Sequence, residues 1–140
     1  MCPRLAIATS ADWPALDPDS VLLLPALAAL GIEAEPLVWS DPAVDWAARD
    51  GVLVRSVWDY FLRPDEFDAW VARVGALRPM WNPAPVVRWN SHKRYLSELA
   101  GRGVPVVDTL DAPAGGTLDL AGALAERGWD DAIFKPAVAG

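Results

Sequence analysis

Cysteine and histidine are almost absent from this sequence, with one residue of each among 140. A lone cysteine, Cys2, cannot build a disulfide framework and has no partner motif that would make it a nucleophile. The single histidine, His92, has no recognisable acid or nucleophile beside it, so we expect a polar residue at a helix start. Neither residue predicts a catalytic site, and the residues of this chain alone indicate no metal site.

Long hydrophobic runs are also missing. The longest one, residues 21–30, is interrupted by Pro25 and falls far short of the roughly 20 residues that a membrane span needs. The apolar stretch at the N-terminus is too short for a signal peptide. We therefore expect a cytoplasmic protein with no membrane partner.

Positive charge is scarce, because 12 basic residues face 19 acidic ones and the net charge is −7. This balance argues against a nucleic-acid partner, since phosphate backbones are bound by basic surfaces. The one basic segment is residues 84–107, with four basic side chains and one acidic side chain. It either forms a nucleotide-binding surface or is simply a solvated helix face.

Strand and helix patterns alternate along the chain. Buried strands are predicted at residues 5–9, 37–39 and 51–54, and the clearest helix begins at Pro64 with apolar residues at positions 67, 70, 71 and 74. Pro25 should kink the helix predicted before Gly31 or delay its start. This order predicts an α/β fold with a Rossmann-like parallel sheet. Neither the dinucleotide motif G-x-G-x-x-G nor the phosphate-binding P-loop motif is present.

Polar and aromatic residues follow the third predicted strand, where ligands bind in open parallel sheets. Arg55 ends an apolar strand and must find an anion or escape burial. One interpretation is an ion pair with Asp59 that braces the turn. The other is a contact with the carboxylate of an amino-acid-like substrate, with aromatic walls beside it. The candidate substrate-binding residues are Arg55, Ser56, Trp58, Asp59 and Tyr60.

Only two of the basic residues are lysines, Lys93 and Lys135. An ammonium on a flexible stem suits a point-charge contact with phosphate, which a guanidinium replaces poorly. Lys93 lies at the predicted start of a helix over residues 92–100 that Asn90 or Ser91 caps. Lys135 ends a predicted strand at residues 132–135, in which Phe134 should point into the core.

Several motifs resemble the ATP-grasp superfamily. They are an Asn before a Lys that opens a helix, the Gly-Val-Pro-Val exit at residues 103–106, and the apolar strand that ends in Lys135-Pro136. The run at residues 54–60, with Arg63-Pro64 and Asn82-Pro83, is similar to a bacterial branch near the ligases that close the D-cycloserine ring. Glutathione synthetase and D-alanine ligase are of the same type.

The resemblance implies a function and a domain organisation. Residues 1–83 would be the pre-ATP-grasp substrate domain, and residues 84–140 an incomplete small ATP-grasp lobe in which Lys93 and Lys135 bind ATP. The family joins a carboxylate to an amine or thiol through an acyl phosphate, using Mg²⁺ whose ligands we expect beyond residue 140. The 140 residues would then be the first half of an enzyme, inactive alone, and a homodimer is one expected assembly.

Two other functions remain open from the sequence. A Rossmann-like domain can bind a small molecule without any chemistry. The chain can also be an interaction module or the remnant of a former enzyme. An intact reading frame after codon 140 with glycine-rich and acidic motifs would decide for the enzyme.

Overall fold

A computed structural model describes residues 2–112 and 114–139 of the protein. The chain divides into two compact units, one up to Ser91 and the other His92–Ala139. In the described part of the first unit the elements are the strands β1 (Arg4–Thr9), β2 (Glu33–Val38), β3 (Gly51–Ser56) and β4 (Met80–Trp81) and the helices α1 (Leu23–Ala29), α2 (Pro64–Leu77) and α3 (Ala84–Asn90). The second unit carries α4 (Tyr95–Gly101) and α5 (Leu120–Arg127).

The four strands form one parallel sheet in the order β2-β1-β3-β4. β1 pairs with β2 from Arg4 opposite Glu33 to Thr9 opposite Val38. The chain thus runs from β1 to one side, returns to β3 on the other side and continues to β4. The predicted α/β class with a Rossmann-like parallel sheet is confirmed, and the strand order reverses between β1 and β3.

Helix α2 covers one face of this sheet, as its apolar spacing predicts. It begins with Pro64 at its first position and has Asp65 and Glu66 in its first turn, where acidic side chains favour the helix dipole. Its buried stripe packs on alternate residues of the central strands, which all point to one face. The stripe consists of Phe67, Trp70, Val71 and Val74, and the strands contribute Ala6, Ala8 and Val52.

Four aromatic side chains fill the core beneath α2. Trp39 meets Phe67 edge-on with ring centroids 5.3 Å apart, and Trp46 meets Trp70 edge-on at 5.1 Å. Phe67 also stacks on Trp70 at 5.5 Å. Such pairs stabilise a core by about 0.5–1.5 kcal/mol each beyond the area that they bury. The segment between β2 and β3 therefore contributes to the core although it contains only a short 3-10 turn, Trp46–Ala48.

Helix α1 begins late. A 3-10 turn, Ser20–Leu22, precedes it, and Pro25 lies in the first turn of α1, where a backbone N–H has no intrahelical acceptor to lose. Gly31 follows the helix with φ 74°, the left-handed conformation that commonly ends helices. Of the two outcomes predicted for Pro25, the delayed start is the one observed.

The prolines at residues 83 and 85 predict an irregular connector over residues 83–88, and this prediction is wrong because residues 84–90 form helix α3. Pro85 lies at the start of the helix, where proline is tolerated. Val87 is buried, and Arg88 forms a two-pronged ion pair with Asp68 of α2, at 2.6 and 2.9 Å. The hydrogen bonds and charge of Asp68 raise the pKa of Arg88. The sequence placed the domain boundary after residue 83, whereas the compact units divide after Ser91.

In the second unit both helices form, with other caps than expected. α4 starts at Tyr95 after Arg94, which makes no side-chain cap, so the predicted capping by Asn90 or Ser91 was wrong. α5 starts at Leu120 and is capped by Asp119, whose carboxylate accepts from Gly122 N at 3.1 Å. The sequence also predicts Thr117 as the start of a helix that ends at Gly128, but the short polar side chain of Asp119 just before Leu120 caps the helix instead.

The strand expected at residues 132–135 is not formed in the described structure, and residues 104–107 are not a strand either. Ile133 is 85% exposed and Phe134 is 68% exposed, so the prediction that Phe134 points into the core was wrong. Strands need a hydrogen-bonded neighbour, and no residue described in this unit pairs with these segments as a strand. No helix formed by the described residues is long and apolar enough to cross a membrane.

Candidate functional site

The carboxyl ends of β1 and β3 are neighbours at the point where the strand order reverses. Ser10 N donates to Ser56 O at 2.9 Å, and the side chains of Thr9, Ser10 and Ser56 are fully buried. Thr9 donates its hydroxyl to Trp13 O at 2.7 Å, whereas Ser10 Oγ has no hydrogen-bond partner in the described structure. Parallel sheets bind ligands in the crevice at such reversals, which makes this edge the candidate site.

A chain of polar contacts links the loop after β1 to the end of β3. Ser56 Oγ donates to Asp17 Oδ2 at 2.5 Å, and the hydroxyls of Ser56 and Ser20 are 3.1 Å apart. Arg55 Nε in turn donates to Ser20 Oγ at 3.2 Å. Two buried hydroxyls thus connect an aspartate to a guanidinium. We call Asp17, Ser20, Ser56 and Arg55 the serine network.

Asp17 is ionised in this network. Hydrogen bonds from the side chains of Ser20 and Ser56 lower the pKa of Asp17 from its ordinary value of 3.8 to well below its usual range, and two backbone N–H groups add to the effect. The pKa is lower in the folded chain than in the unfolded chain. The carboxylate therefore stabilises the fold above about pH 3.8, and this contribution is lost as the pH falls through the folded value.

Beside the network lies a pocket of about 230 Å³ within the first unit. Arg55 is exposed to solvent at this pocket, and one wall is the ring of Tyr60. The walls combine apolar and polar side chains, and in small-ligand sites the polar groups fix the orientation of the ligand. The other lining residues are Val54, Val57, Phe67, Asn82, Val87, Asn90 and Ser91.

The structure brings some of the predicted substrate residues together and separates others. Arg55 and Tyr60 line the pocket, and Ser56 lies in the serine network that contacts Arg55. Trp58 is 55% exposed and is not among the pocket's lining residues. Asp59 faces the aromatic core instead of the pocket.

Asp59 pairs with Arg63, so the expected ion pair between Arg55 and Asp59 was wrong. Asp59 Oδ2 accepts from Arg63 Nη2 at 2.9 Å, and Oδ1 accepts from Trp39 Nε1 at 2.7 Å. The guanidinium of Arg63 also lies over the ring of Trp39, 4.7 Å from its centroid. An arginine four residues along the chain can reach Asp59 from the start of α2, whereas Arg55 points to Ser20. Asp59 thus braces the turn that carries Tyr60.

The two lysines lie in the second unit. Lys93 donates its ammonium to Ala139 O at 2.8 Å and its backbone N–H to Ala137 O at 2.7 Å. Lys135 is exposed, two residues before Ala137. Because two residues span at most about 7 Å, the backbones of both lysines lie within about 15 Å of each other.

Among the described residues, no group of three or more His, Cys, Asp or Glu side chains is placed to hold a metal ion.

The sequence pattern did not identify Asp17 and Ser20 as site residues. Asp17 does accept from Asp19 N and Ser20 N, both at 3.1 Å, which is the local turn that an Asp-Pro-Asp-Ser run predicts. The local pattern gives no sign of the hydrogen bond between Asp17 and Ser56, which lie 39 residues apart in the sequence. The signal that could have found them is that both segments follow neighbouring strands.

Comparison with known proteins gives matches of one kind. Residues 5–82 match the family described as the N-terminal domain of D-cycloserine synthetase DcsG. The cycloserine biosynthesis protein DcsG of Streptomyces lavendulae is 42% identical over 105 residues, which are 75% of this chain and 35% of that protein. A crystal structure of D-cycloserine synthetase DcsG has a TM-score of 0.79 and 38% identity, covering 89% of this chain and 43% of the other.

The chain therefore spans less than half the length of these relatives. The family match covers more than half of the chain and includes all four strands of the sheet. It also includes the serine network and Tyr60 of the pocket wall. The chain belongs to the family of the D-cycloserine synthetase DcsG N-terminal domain.

Proposed function

We propose that this chain is the N-terminal part of an ATP-dependent carboxylate–amine ligase of the ATP-grasp type, and that its first unit binds the carboxylate substrate. The observation that carries the proposal is the guanidinium of Arg55, which is exposed at a pocket whose walls are both polar and apolar. The family relationship supports it, because the matching family and the similar crystal structure bear the name of a synthetase of D-cycloserine.

Arg55 has the geometry that carboxylate binding requires. Its Nε is occupied by Ser20 Oγ, which leaves the two terminal nitrogens for a ligand. The described structure gives Arg55 no ion pair with an acidic side chain. Two terminal N–H groups can hold both oxygens of a carboxylate, and charge-assisted bonds of this kind are stronger than neutral ones. The pocket size of about 230 Å³ suits a small ligand.

Lys93 and Lys135 would hold the nucleotide. Both are point charges in the second unit, and the exposed ammonium of Lys135 is available to a phosphate. The ammonium of Lys93 now binds a backbone carbonyl, Ala139 O, and a phosphate would have to compete with that acceptor. With ATP and Mg²⁺ bound, the chemistry supplied is transfer of a phosphoryl group to the carboxylate. The lysines would position the phosphates and neutralise their charge.

Replacing Lys135 by methionine in the full-length protein is expected to weaken ATP binding about 10- to 100-fold, since a charge-assisted contact is worth about 1.5–3 kcal/mol. Lys93→Met should weaken it to a similar extent. Isothermal titration calorimetry with ATP measures both affinities. Arg127→Met is a matched control, because Arg127 is an exposed cation of the same unit outside the basic segment and its loss should leave the affinity unchanged. Unchanged ATP affinity in both lysine variants would contradict the proposed nucleotide site.

A binding module without chemistry is the second candidate function. One observation favours it: every residue that lines the pocket belongs to the first unit, so ligand binding there requires no nucleotide. The two functions differ in their response to ATP. A module binds its ligand equally with and without ATP and releases no ADP.

A further inference from the structure

We propose that Asp17 is a positioning residue that orients the guanidinium of Arg55 through the hydroxyls of Ser20 and Ser56. The inference rests on the proposed function, because Arg55 is the group that we propose binds the substrate carboxylate. It assigns a role to the loop after β1, which itself contributes no residue to the lining of the pocket.

The hydroxyls of Ser20 and Ser56 are placed to transmit the influence of Asp17 to the guanidinium of Arg55. Ser56 is 0% exposed and Ser20 is 1% exposed, so water does not compete for their hydrogen bonds. Arg55, by contrast, is exposed at the pocket. A long exposed arginine loses rotamer entropy when a ligand orders it. The bond from Nε to Ser20 removes part of this cost before the ligand arrives.

The number of protons in the serine network decides which oxygen donates each hydrogen bond and which oxygen accepts it. A serine hydroxyl has one proton to donate and lone pairs to accept. Ser56 gives its proton to the carboxylate of Asp17, and Ser20 also directs its hydroxyl proton toward that carboxylate. Ser20 Oγ then presents a lone pair to Arg55 Nε. An ionised Asp17 therefore keeps Ser20 oriented as an acceptor toward the guanidinium.

The backbone conformation of the residue before Asp17 indicates that the surrounding structure imposes the position of Asp17. Leu16 has φ 72°, the one non-glycine residue with positive φ in the described chain, and it is buried. A bulky residue in the left-handed region is disfavoured and persists only when its surroundings impose it. This strained turn places Asp17 next to Ser56, which lies 39 residues later in the sequence.

A merely structural role is the competing explanation, because Asp17 also accepts from Asp19 N and Ser20 N in the turn before α1. Ser20→Ala separates the two roles. It removes the acceptor of Arg55 Nε and leaves both backbone bonds to Asp17 in place. Asp17→Asn tests the charge in the same geometry. Asp19→Asn is the matched control, since Asp19 is exposed and its side chain makes no contact in the described structure.

The first measurement is made on the protein without ligand. In nitrogen-15 spectra of the arginine side chains, the Nε–H of Arg55 should exchange slowly with water, and its exchange should speed up in Ser20→Ala and in Asp17→Asn. Asp19→Asn should leave it unchanged. If the Nε–H exchange of Arg55 is the same in all variants, the network does not hold the guanidinium, and the proposal is overturned.

The second measurement is steady-state kinetics of the full-length enzyme with its carboxylate substrate. Ser20→Ala and Asp17→Asn should raise the carboxylate KM about 2- to 10-fold, the range of the net contribution of one typical hydrogen bond, with the ATP KM unchanged. In an Arg55→Lys background, Ser20→Ala should add nothing, because it acts through Arg55. Altered Nε–H exchange with an unchanged KM refutes the positioning role, whereas an unchanged KM in Arg55→Lys itself refutes the proposed function.

Discussion

Replacing Arg55 by lysine is expected to raise the KM for the carboxylate substrate about 10-fold or more. Lysine keeps the charge but cannot hold both carboxylate oxygens with two parallel N–H donors, and a bond to a charged group is worth about 1.5–3 kcal/mol. The ATP KM should not change, because the lysines proposed to bind the nucleotide lie in the other unit. Steady-state kinetics of the full-length protein measure both constants.

Arg73→Lys is the control for this experiment. Arg73 is an exposed residue of α2 without an ion pair in the described structure, so both constants should remain those of the wild type. A loss of thermal stability in Arg55→Lys with an unchanged carboxylate KM would mean that Arg55 only braces the fold.

Replacing Trp39 by alanine is expected to destabilise the chain by about 3–5 kcal/mol, the range for removing a buried aromatic side chain. Trp39 is 2% exposed and touches both Phe67 and Trp70. Its loss also leaves the buried carboxylate of Asp59 without the Nε1 donor. Urea unfolding followed by circular dichroism measures the free energy of unfolding.

Two further variants separate packing from hydrogen bonding at this position. Trp39→Phe keeps most of the ring and should cost about 1–3 kcal/mol, mainly through the unsatisfied oxygen of Asp59. Trp13→Ala removes a tryptophan that is 41% exposed and should change stability by less than about 1 kcal/mol. If Trp39→Ala unfolds at the same urea concentration as Trp13→Ala, the described core is wrong.

The fold of the first unit could be predicted where the sequence pattern is local. The helix α2 was predicted with its buried stripe because apolar spacing, Pro64 and the acidic first turn all indicate the same helix. The strand β2 was located only in part, since it begins at Glu33 and its first residues alternate acidic and apolar side chains. Helix α3 was missed because prolines at residues 83 and 85 favour a connector and a helix start equally.

The sequence could predict where the candidate site lies, but not which of its residues contact each other. The rule that ligands bind at the carboxyl ends of parallel strands led to Arg55 and Tyr60. The partner of Arg55 was wrong, since Ser20 and not Asp59 accepts its Nε–H. That choice depends on how the loop after β1 returns toward β3 in three dimensions, and no periodicity in the sequence records it. The roles of Lys93 and Lys135 stay predictions.

We propose that the protein activates a small carboxylate with ATP, and ADP release by the full-length protein tests this proposal most directly. The rate should be measured with ATP and Mg²⁺, with and without each of a panel of small D- and L-amino acids that includes the ring-opened form of D-cycloserine. At least one carboxylate should raise ADP release well above the rate with ATP alone, and Arg55→Lys should shift this response to higher carboxylate concentration. A rate of ADP release that no member of the panel raises would contradict it.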